Sequence, residues 1–345
     1  MEVEYLIGSK KDFTDFVDSI GLYDKVAVLT HNDMDGISSG FFIEKILEAK
    51  GIKVTLMKFL DIKADMVKEI IEEIKEAGIT KVFFSDLNVE SIDAEGFDEL
   101  REEKDVFLID HHPTREDLKK TKNIIKTVSE DCASLVNFVL GEEFIDSEEW
   151  GWLVCAAIFA DYAFRSEKNF RFLQTFYPET RIEDISSSTP GINARRISSA
   201  LIYYKNDIPY VYNLIKEKKI EELAEIHEII EEEVYRIVDD FDLNKEYYPK
   251  NDIYFYEIKS KFDVLSYVAT LIAGADPEKN FLFMFISKDV AKFSARSSSQ
   301  KIDMGDLLKK SIQGLVESNG GGHVPAAGAS VKLEDAEIFK RRVLG

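Results

Sequence analysis

The sequence predicts an α/β protein with a parallel-sheet N-terminal domain, a helical connector and a smaller C-terminal α/β domain. Three observations carry the prediction. Apolar runs at 26–30 (VAVLT), 53–59 (KVTLMKF), 81–86 (KVFFSD) and 105–110 (DVFLID) alternate with helical patterns at 37–50, 64–77 and about 91–103, as in a parallel sheet covered by helices. The chain has 345 residues, more than one domain usually holds. A second strand and helix pattern begins after Tyr247-Tyr248-Pro249, which divides the chain into 1–195, a connector at 196–248, and 249–345.

Taken in order, the run VAVLT ends in His31 and leads into a helix pattern from Ile37, where Asp33 and Asp35 are placed to cap it. The third and fourth runs end in Asp86 and in Asp110, His111 and His112. Residues 133–245 read as mainly helical. Their last part carries Ile220, Leu223, His227, Ile230, Val234, Ile237 and Phe241, spaced alternately three and four apart. That is an amphipathic helix with a coiled-coil-like stripe, expected to lie against the first domain, with another subunit as the alternative. Beyond it, strand patterns at 253–258, 281–287 and 291–295 alternate with helical ones at 264–274 and 304–316.

Composition narrows the function. Apolar residues make up 45% and charged residues 32% of the chain, enough to bury two cores and too apolar for disorder. Cys132 and Cys155 are isolated and the N-terminus is polar, so neither a disulfide framework nor a secretion signal is expected and a reducing cytoplasm fits best. The most apolar stretch, 152–164, is too short for a bilayer and is interrupted by Asp161. The net charge is -21, yet residues 251–345 carry 13 Lys and Arg against 12 Asp and Glu, and residues 1–250 carry 31 against 53. Such acidity disfavours tight coating of a duplex, whose affinity comes from neutralised phosphates.

The chemistry gathers at strand ends. In open α/β sheets ligands bind outside the carboxyl ends of the strands, so His31/Asp33/Asp35, Asp86 and Asp110/His111/His112 can converge on one crevice. Four of the five histidines, His31, His111, His112 and His323, lie at strand ends or in glycine-rich sequence. His227 sits on the apolar stripe and reads as structural. The segment 31–36 matches a calcium loop only partly, because its twelfth position is Phe42 rather than Glu. Mixed carboxylate and imidazole donors suit Mn²⁺, Fe²⁺ or Zn²⁺, and about six of them point to two ions. Paired divalent ions are a recurrent device for in-line displacement at phosphorus, so phosphoester hydrolysis is the leading chemistry.

The C-terminal part adds anion-binding candidates. In NGGGHVPAAGAS (319–330), Gly320, Gly321 and Gly322 before His323 read as a glycine-rich loop whose amides can face a phosphate. In FSARSSS (293–299), Arg296 can grip a phosphate bidentately and Ser297 can donate a hydrogen bond.

Together HNDMDG (31–36), Asp86 in SDLN, Asp110-His111-His112, Asp161 in FAD and GGGHVPAAG resemble the DHH/DHHA1 phosphoesterases, the family of RecJ-like nucleases and nanoRNases, across both domains in order. The chain departs from the family pattern at Asp161-Tyr162, where relatives often have Asp-Thr.

The resemblance implies an N-terminal DHH domain, a C-terminal DHHA1 domain, and His31, Asp33, Asp35, Asp86, His111 and Asp161 as metal ligands, with Asp86 bridging two Mn²⁺ (Mg²⁺ the alternative). It further implies that Asp110 orients a ligand and that His112 contacts the scissile phosphate or assists the leaving group. Arg296, Ser297, Gly320, Gly321, Gly322 and His323 would hold the other phosphates. The implied function is that of a RecJ-like exonuclease on single-stranded DNA, RNA or short oligonucleotides, with a replication or repair protein partner, homo-oligomerisation as an option and no membrane. The competing readings are a phosphoesterase of small nucleotides, of the cyclic dinucleotide or 3′-phosphoadenosine phosphate type, and a non-catalytic replication or repair scaffold. A pyrophosphatase fits less well, because its third motif is DHN-like and its C-terminal domain differs.

Overall fold

In the computed structural model, residues 3–63, 65–115, 117–118 and 121–345 are described. They form two compact units, Met1–Ala224 and Glu225–Gly345. The mixed α/β class is as predicted, with a six-stranded sheet in each unit.

The strands of the first unit are β1 (Tyr5–Ile7), β2 (Val26–His31), β3 (Val54–Leu60), β4 (Lys81–Ser85), β5 (Asp105–Asp110) and β6 (Ile124–Thr127), in spatial order β1-β6-β5-β4-β2-β3. All neighbours pair in parallel except β1 with β6. The central runs are apolar throughout because both faces are covered. Ala27, Leu29, Val82, Phe84 and Leu108 pack beneath Val67, Ile70 and Ile74 of the helix Met66–Glu76 and Phe97 and Leu100 of the helix Ala94–Glu103. On the opposite face Phe83 and Phe107 meet Phe13 and Phe16 of the helix Lys10–Asp18 edge-on or tilted. The edge strand β1 and its neighbour β6 were not legible in the sequence: β1 spans only three residues and β6 carries a lysine in its middle.

β2 pairs with β3 on one side and β4 on the other, so the chain reverses its direction of travel across the sheet between them. A crevice opens at such a reversal, outside the carboxyl ends of the strands. His31 ends β2 and Asp86 directly follows β4.

The second unit contains β7 (Glu246–Tyr248), β8 (Ile253–Ile258), β9 (Asn280–Ser287), β10 (Val290–Ser297), β11 (Asn319–Gly322) and β12 (Ala326–Lys332), ordered β11-β12-β10-β9-β8-β7. One face buries Phe255, Leu282, Met284 and Phe293 against Met304 and Leu308 of the helix Met304–Ser311 and Phe339 of the helix Ala336–Leu344.

The expected stripe is real, but its seat is corrected. Ile230, Val234, Ile237 and Phe241 are the buried residues of the helix Ala224–Asn244. Phe241 packs on Tyr256, Phe281 and Phe283 of the second sheet, so the helix is part of that unit's own core. Ile220 and Leu223 lie before the helix in a 3₁₀ turn. Spacing reveals an apolar face but not the surface it meets. Ile230 is fully buried, so Ile230→Asp should destabilise by about 3–5 kcal/mol, the penalty for an uncompensated buried charge. Urea unfolding with an unchanged midpoint would remove the packing role.

A second correction concerns the glycine-rich segment, which is edge strand β11, hydrogen-bonded to β12 in a hairpin closed by His323 and Ala326. The glycines serve close packing: a Cβ on Gly322, at φ 142°, would meet the Ala326 carbonyl oxygen at 2.7 Å, and one on Gly320 would lie 3.1 Å from Ile312. Polar glycine runs read as loops, but here small size lets the helix Met304–Ser311 approach the strand.

Candidate metal and phosphate site

The site forms where β2, β4 and β5 end. Asp33 leaves β2 as the N-cap of the helix Met34–Ala49, its Oδ1 accepting from the Gly36 N–H at 2.9 Å. Gly36 permits this tight join, since a Cβ there would lie 2.2 Å from the His31 carbonyl oxygen. In the first turn of the helix, Asp35 is buried, and its two carboxylate oxygens accept the N–H groups of Ala133 and Ser134 at 2.7 and 2.8 Å. Those donors open the helix Ala133–Leu140, whose positive end favours the carboxylate.

Asp86 follows β4 with φ 58°, a left-handed conformation that Asp tolerates better than most residues. Its side chain is 4% exposed, with Oδ2 3.7 Å from His31 Nδ1 and Oδ1 3.4 Å from His111 Nε2. The two oxygens of one carboxylate thus face imidazoles from two different strand ends. Asp161, the C-cap of the helix Ser147–Ala160, brings Oδ2 to 3.9 Å from the same His111 nitrogen. His31 Nδ1 also lies 3.0 Å from Asp33.

These contacts define three overlapping donor groups: His31, Asp33 and Asp86; Asp35, His111 and Asp161; and Asp86, Asp110, His111 and His112. Within each group the donor atoms lie within 4.8 Å of one another. The chemistry of the set fits a divalent cation. Burial, with Asp86 beside it, pushes Asp35 up to about 7, and burial raises Asp161 well above the usual carboxylate range. Burial alone would lower His111, but Asp86 and Asp161 hold it well above the usual imidazole value. Crowded carboxylates that must share protons are stabilised by a cation. His111 Nδ1 is buried and, among the described residues, has no hydrogen-bond partner.

Beneath the donors lies a network that sequence reasoning missed. Asp110 is fully buried, with Oδ1 2.8 Å from His112 Nδ1 and Oδ2 accepting from Lys126 Nζ at 2.6 Å. Lys126, itself buried, also reaches Glu90 at 2.5 Å and donates to the His112 carbonyl at 3.1 Å. Burial would raise Asp110, but Lys126 and His112 outweigh it and hold the carboxyl well below its usual range. The available signal was a lone lysine inside the apolar run NIIKTV. Its acidic partners lie 36 and 16 positions away, out of reach of local pattern.

The C-terminal candidates divide. Arg296, near the end of β10, pairs in register with Ala326 on β12, placing it at the hairpin end that carries the exposed His323. Its guanidinium donates to the Ala295 carbonyl at 3.0 Å and approaches the Ser266 and Thr270 hydroxyls. Ser297 is fully buried, donates its hydroxyl to Asn280 at 2.7 Å, and gives its N–H to the Pro325 carbonyl. Burial turns this side chain into a clasp between β9 and β10, which corrects the expected substrate contact. Gly321 has open space where a Cβ would stand.

Comparison with known families decides the relationship. Residues 25–151 match the DHH family, N-terminal domain, and residues 252–343 match the DHHA1 domain. The chain belongs to the DHH/DHHA1 family. Its DHH domain contains the donor cluster except Asp161, and its DHHA1 domain contains Arg296 and the hairpin. The sequence matches none of the curated proteins closely enough to count as a relative. Among solved structures, RecJ of Thermus thermophilus in complex with Mn²⁺ is similar at TM-score 0.72 and 15% identity, over 97% of this chain and 54% of that one. The DHH/DHHA1 chain thus spans about half the length of that RecJ. An exonuclease RecJ bound to manganese is similar at TM-score 0.70 and 16% identity, over 99% and 94% of the two chains. CDC45 from Entamoeba histolytica is similar at TM-score 0.61 and 11% identity, over 97% of each chain. At these identities the likeness is one of fold. No helix among the described residues is long and apolar enough to cross a membrane.

Proposed function

We propose that this DHH/DHHA1 protein is a metal-dependent phosphodiesterase that shortens single-stranded nucleic acid or short oligonucleotides from an end. One observation carries the reading: six donors from separated strand and helix ends converge around Asp86, whose two oxygens face two different histidines. Likeness in fold to RecJ structures containing Mn²⁺ or Mg²⁺ supports it.

In this reading His31, Asp33, Asp35, Asp86, His111 and Asp161 hold the metal. Bound divalent ions, two in the arrangement that best suits such a donor set, would activate water and neutralise charge developing at phosphorus. Asp110 fixes the His112 ring through Nδ1, leaving Nε2 to contact the phosphate or supply a proton to the leaving oxygen. Arg296, His323 and the open side of β11 grip neighbouring phosphates. The full set of donors disfavours a role as scaffold alone.

The test is a substrate panel with Mn²⁺, comparing labelled single-stranded DNA, RNA, dinucleotides, cyclic dinucleotides and pyrophosphate. Hydrolysis of strands, eliminated by EDTA and weak with Ca²⁺, is expected; turnover confined to pyrophosphate or cyclic dinucleotides would overturn the assignment. Arg296→Ala should raise KM for oligonucleotides by the equivalent of about 1.5–3 kcal/mol, the worth of a charge-assisted hydrogen bond. A small artificial phosphodiester too short to reach Arg296 should be little affected. Equal losses on both substrates would place Arg296 in transition-state stabilisation instead.

A further inference from the structure

A strand held by its phosphates alone leaves its bases without a partner, and the residues next to Asp161 offer one. The helix Ser147–Ala160 is capped by Asp161, and the chain then turns at Tyr162 with φ 58°. Glycine or asparagine normally takes this position, because a bulky side chain is strained there. Tyr162 is only partly buried in return: it is 43% exposed. Its ring centroid lies 5.9 Å from that of Phe164, which stacks on Phe159 at 5.7 Å with an interplanar angle of 14°. Phe159 and Phe164 are half-buried. The Arg165 guanidinium stands 4.8 Å from the Tyr162 ring centroid.

We propose that Tyr162, backed by Phe164 and Phe159 and flanked by Arg165, is the stacking platform for the nucleobase nearest the scissile phosphate. The inference rests on the nucleic-acid reading above and adds the group that recognises the base. Position argues for a base: Tyr162 directly follows a residue of the donor cluster, so its ring is anchored one residue from a group bound there. Chemistry argues the same way, because aromatic faces with a neighbouring arginine bind the π faces of bases. A substrate made only of phosphates has no use for three rings. Strained, exposed aromatic placement also exceeds what a small satellite core requires, since a glycine would make the turn without strain. Stacking accepts every base, so the platform gives grip without sequence preference.

Tyr162→Gly tests the platform while suiting the local backbone, and Tyr162→Phe keeps the ring. Binding is followed with phosphorothioate strands carrying 2-aminopurine at one terminus or the other, since stacking quenches its fluorescence. Wild type and Tyr162→Phe should quench the probe at one terminus, and Tyr162→Gly should not. Tyr162→Gly should also raise KM for an ordinary oligonucleotide about tenfold, within the range for one lost base stack, with kcat nearly unchanged. For the same strand ending in an abasic nucleotide, Tyr162→Gly should match wild type. Persistent quenching in Tyr162→Gly, or an equal rise in KM on the abasic strand, would overturn the platform alone. Wild-type protein that neither binds nor cleaves any strand would overturn the nucleic-acid reading, and the platform with it.

Discussion

Asp86→Asn is expected to abolish hydrolysis and to leave the fold intact. The carboxylate is nearly buried, with one oxygen 3.7 Å from His31 and the other 3.4 Å from His111, so it faces imidazoles from two different strand ends. Asparagine keeps the size of the side chain and, like aspartate, tolerates the left-handed backbone at φ 58°. It removes the charge that a bridging ligand needs. The loss in kcat should be at least about 10²–10³-fold, the cost of deleting a single preorganised electrostatic group. Without metal, melting should be unchanged or higher, because one of several crowded carboxylates has gone. Added Mn²⁺ should raise the melting temperature of wild type but not of the variant, since a ligand stabilises only the state that binds it. Near-normal turnover by a metal-loaded Asp86→Asn protein would remove Asp86 from the bridging role.

Lys126→Met should destabilise the protein by about 3–5 kcal/mol, the cost of breaking a buried ion pair from one side. Lys126, Asp110 and Glu90 are all buried, and the lysine lies 2.6 and 2.5 Å from the two carboxylates. Methionine fills similar space and leaves the two acids without the ammonium between them, Asp110 keeping only His112. The pH dependence follows from the direction of each shift. In wild type, Asp110 is held below its usual value by Lys126, so its contribution is present above that value and is lost as pH falls through the depressed one. Burial alone would lower Lys126, but Asp110 and Glu90 hold it above its usual value. Its contribution is therefore present below that value and is lost as pH rises through the raised one. In Lys126→Met, burial is opposed chiefly by His112 and no longer by Lys126, so Asp110 moves upward. The deficit should therefore be largest near neutrality and shrink as pH falls toward about 4, where the stranded carboxyl can protonate. Urea titrations at several pH values measure it, and a deficit that grows toward acid would contradict the assigned charge states. Because Lys126 also holds the His112 carbonyl, the same variant should lower activity under conditions where it remains folded.

Much of the site was legible because its parts are local patterns. A strand ending in His31, another followed by Asp86, and a third ending in Asp110 with His111 next can each be read within a few residues, and parallel pairing brings such ends to one edge. Asp161 required the resemblance, since a lone aspartate closing an apolar helix has no local mark. Ser297 misled because a serine beside an arginine looks available; only pairing of β10 with β9 shows its hydroxyl turned onto Asn280.

What the sequence by itself determined is the α/β class, the central strands, the gathering of Asp and His residues at three strand ends and the presence of an apolar stripe at 220–241. These follow from period, from residue chemistry and from short spacing. Tertiary structure alone decided that the stripe from Ile230 to Phe241 belongs to the second unit, that Gly320–Gly322 forms an edge strand, that Lys126 is buried between Glu90 and Asp110, and that Tyr162 stays exposed next to Asp161. The physical reason is common to all four. Whether a lysine is buried, a glycine is pressed by a helix or a tyrosine faces water depends on groups distant along the chain, and local sequence carries no record of which distant surface will arrive.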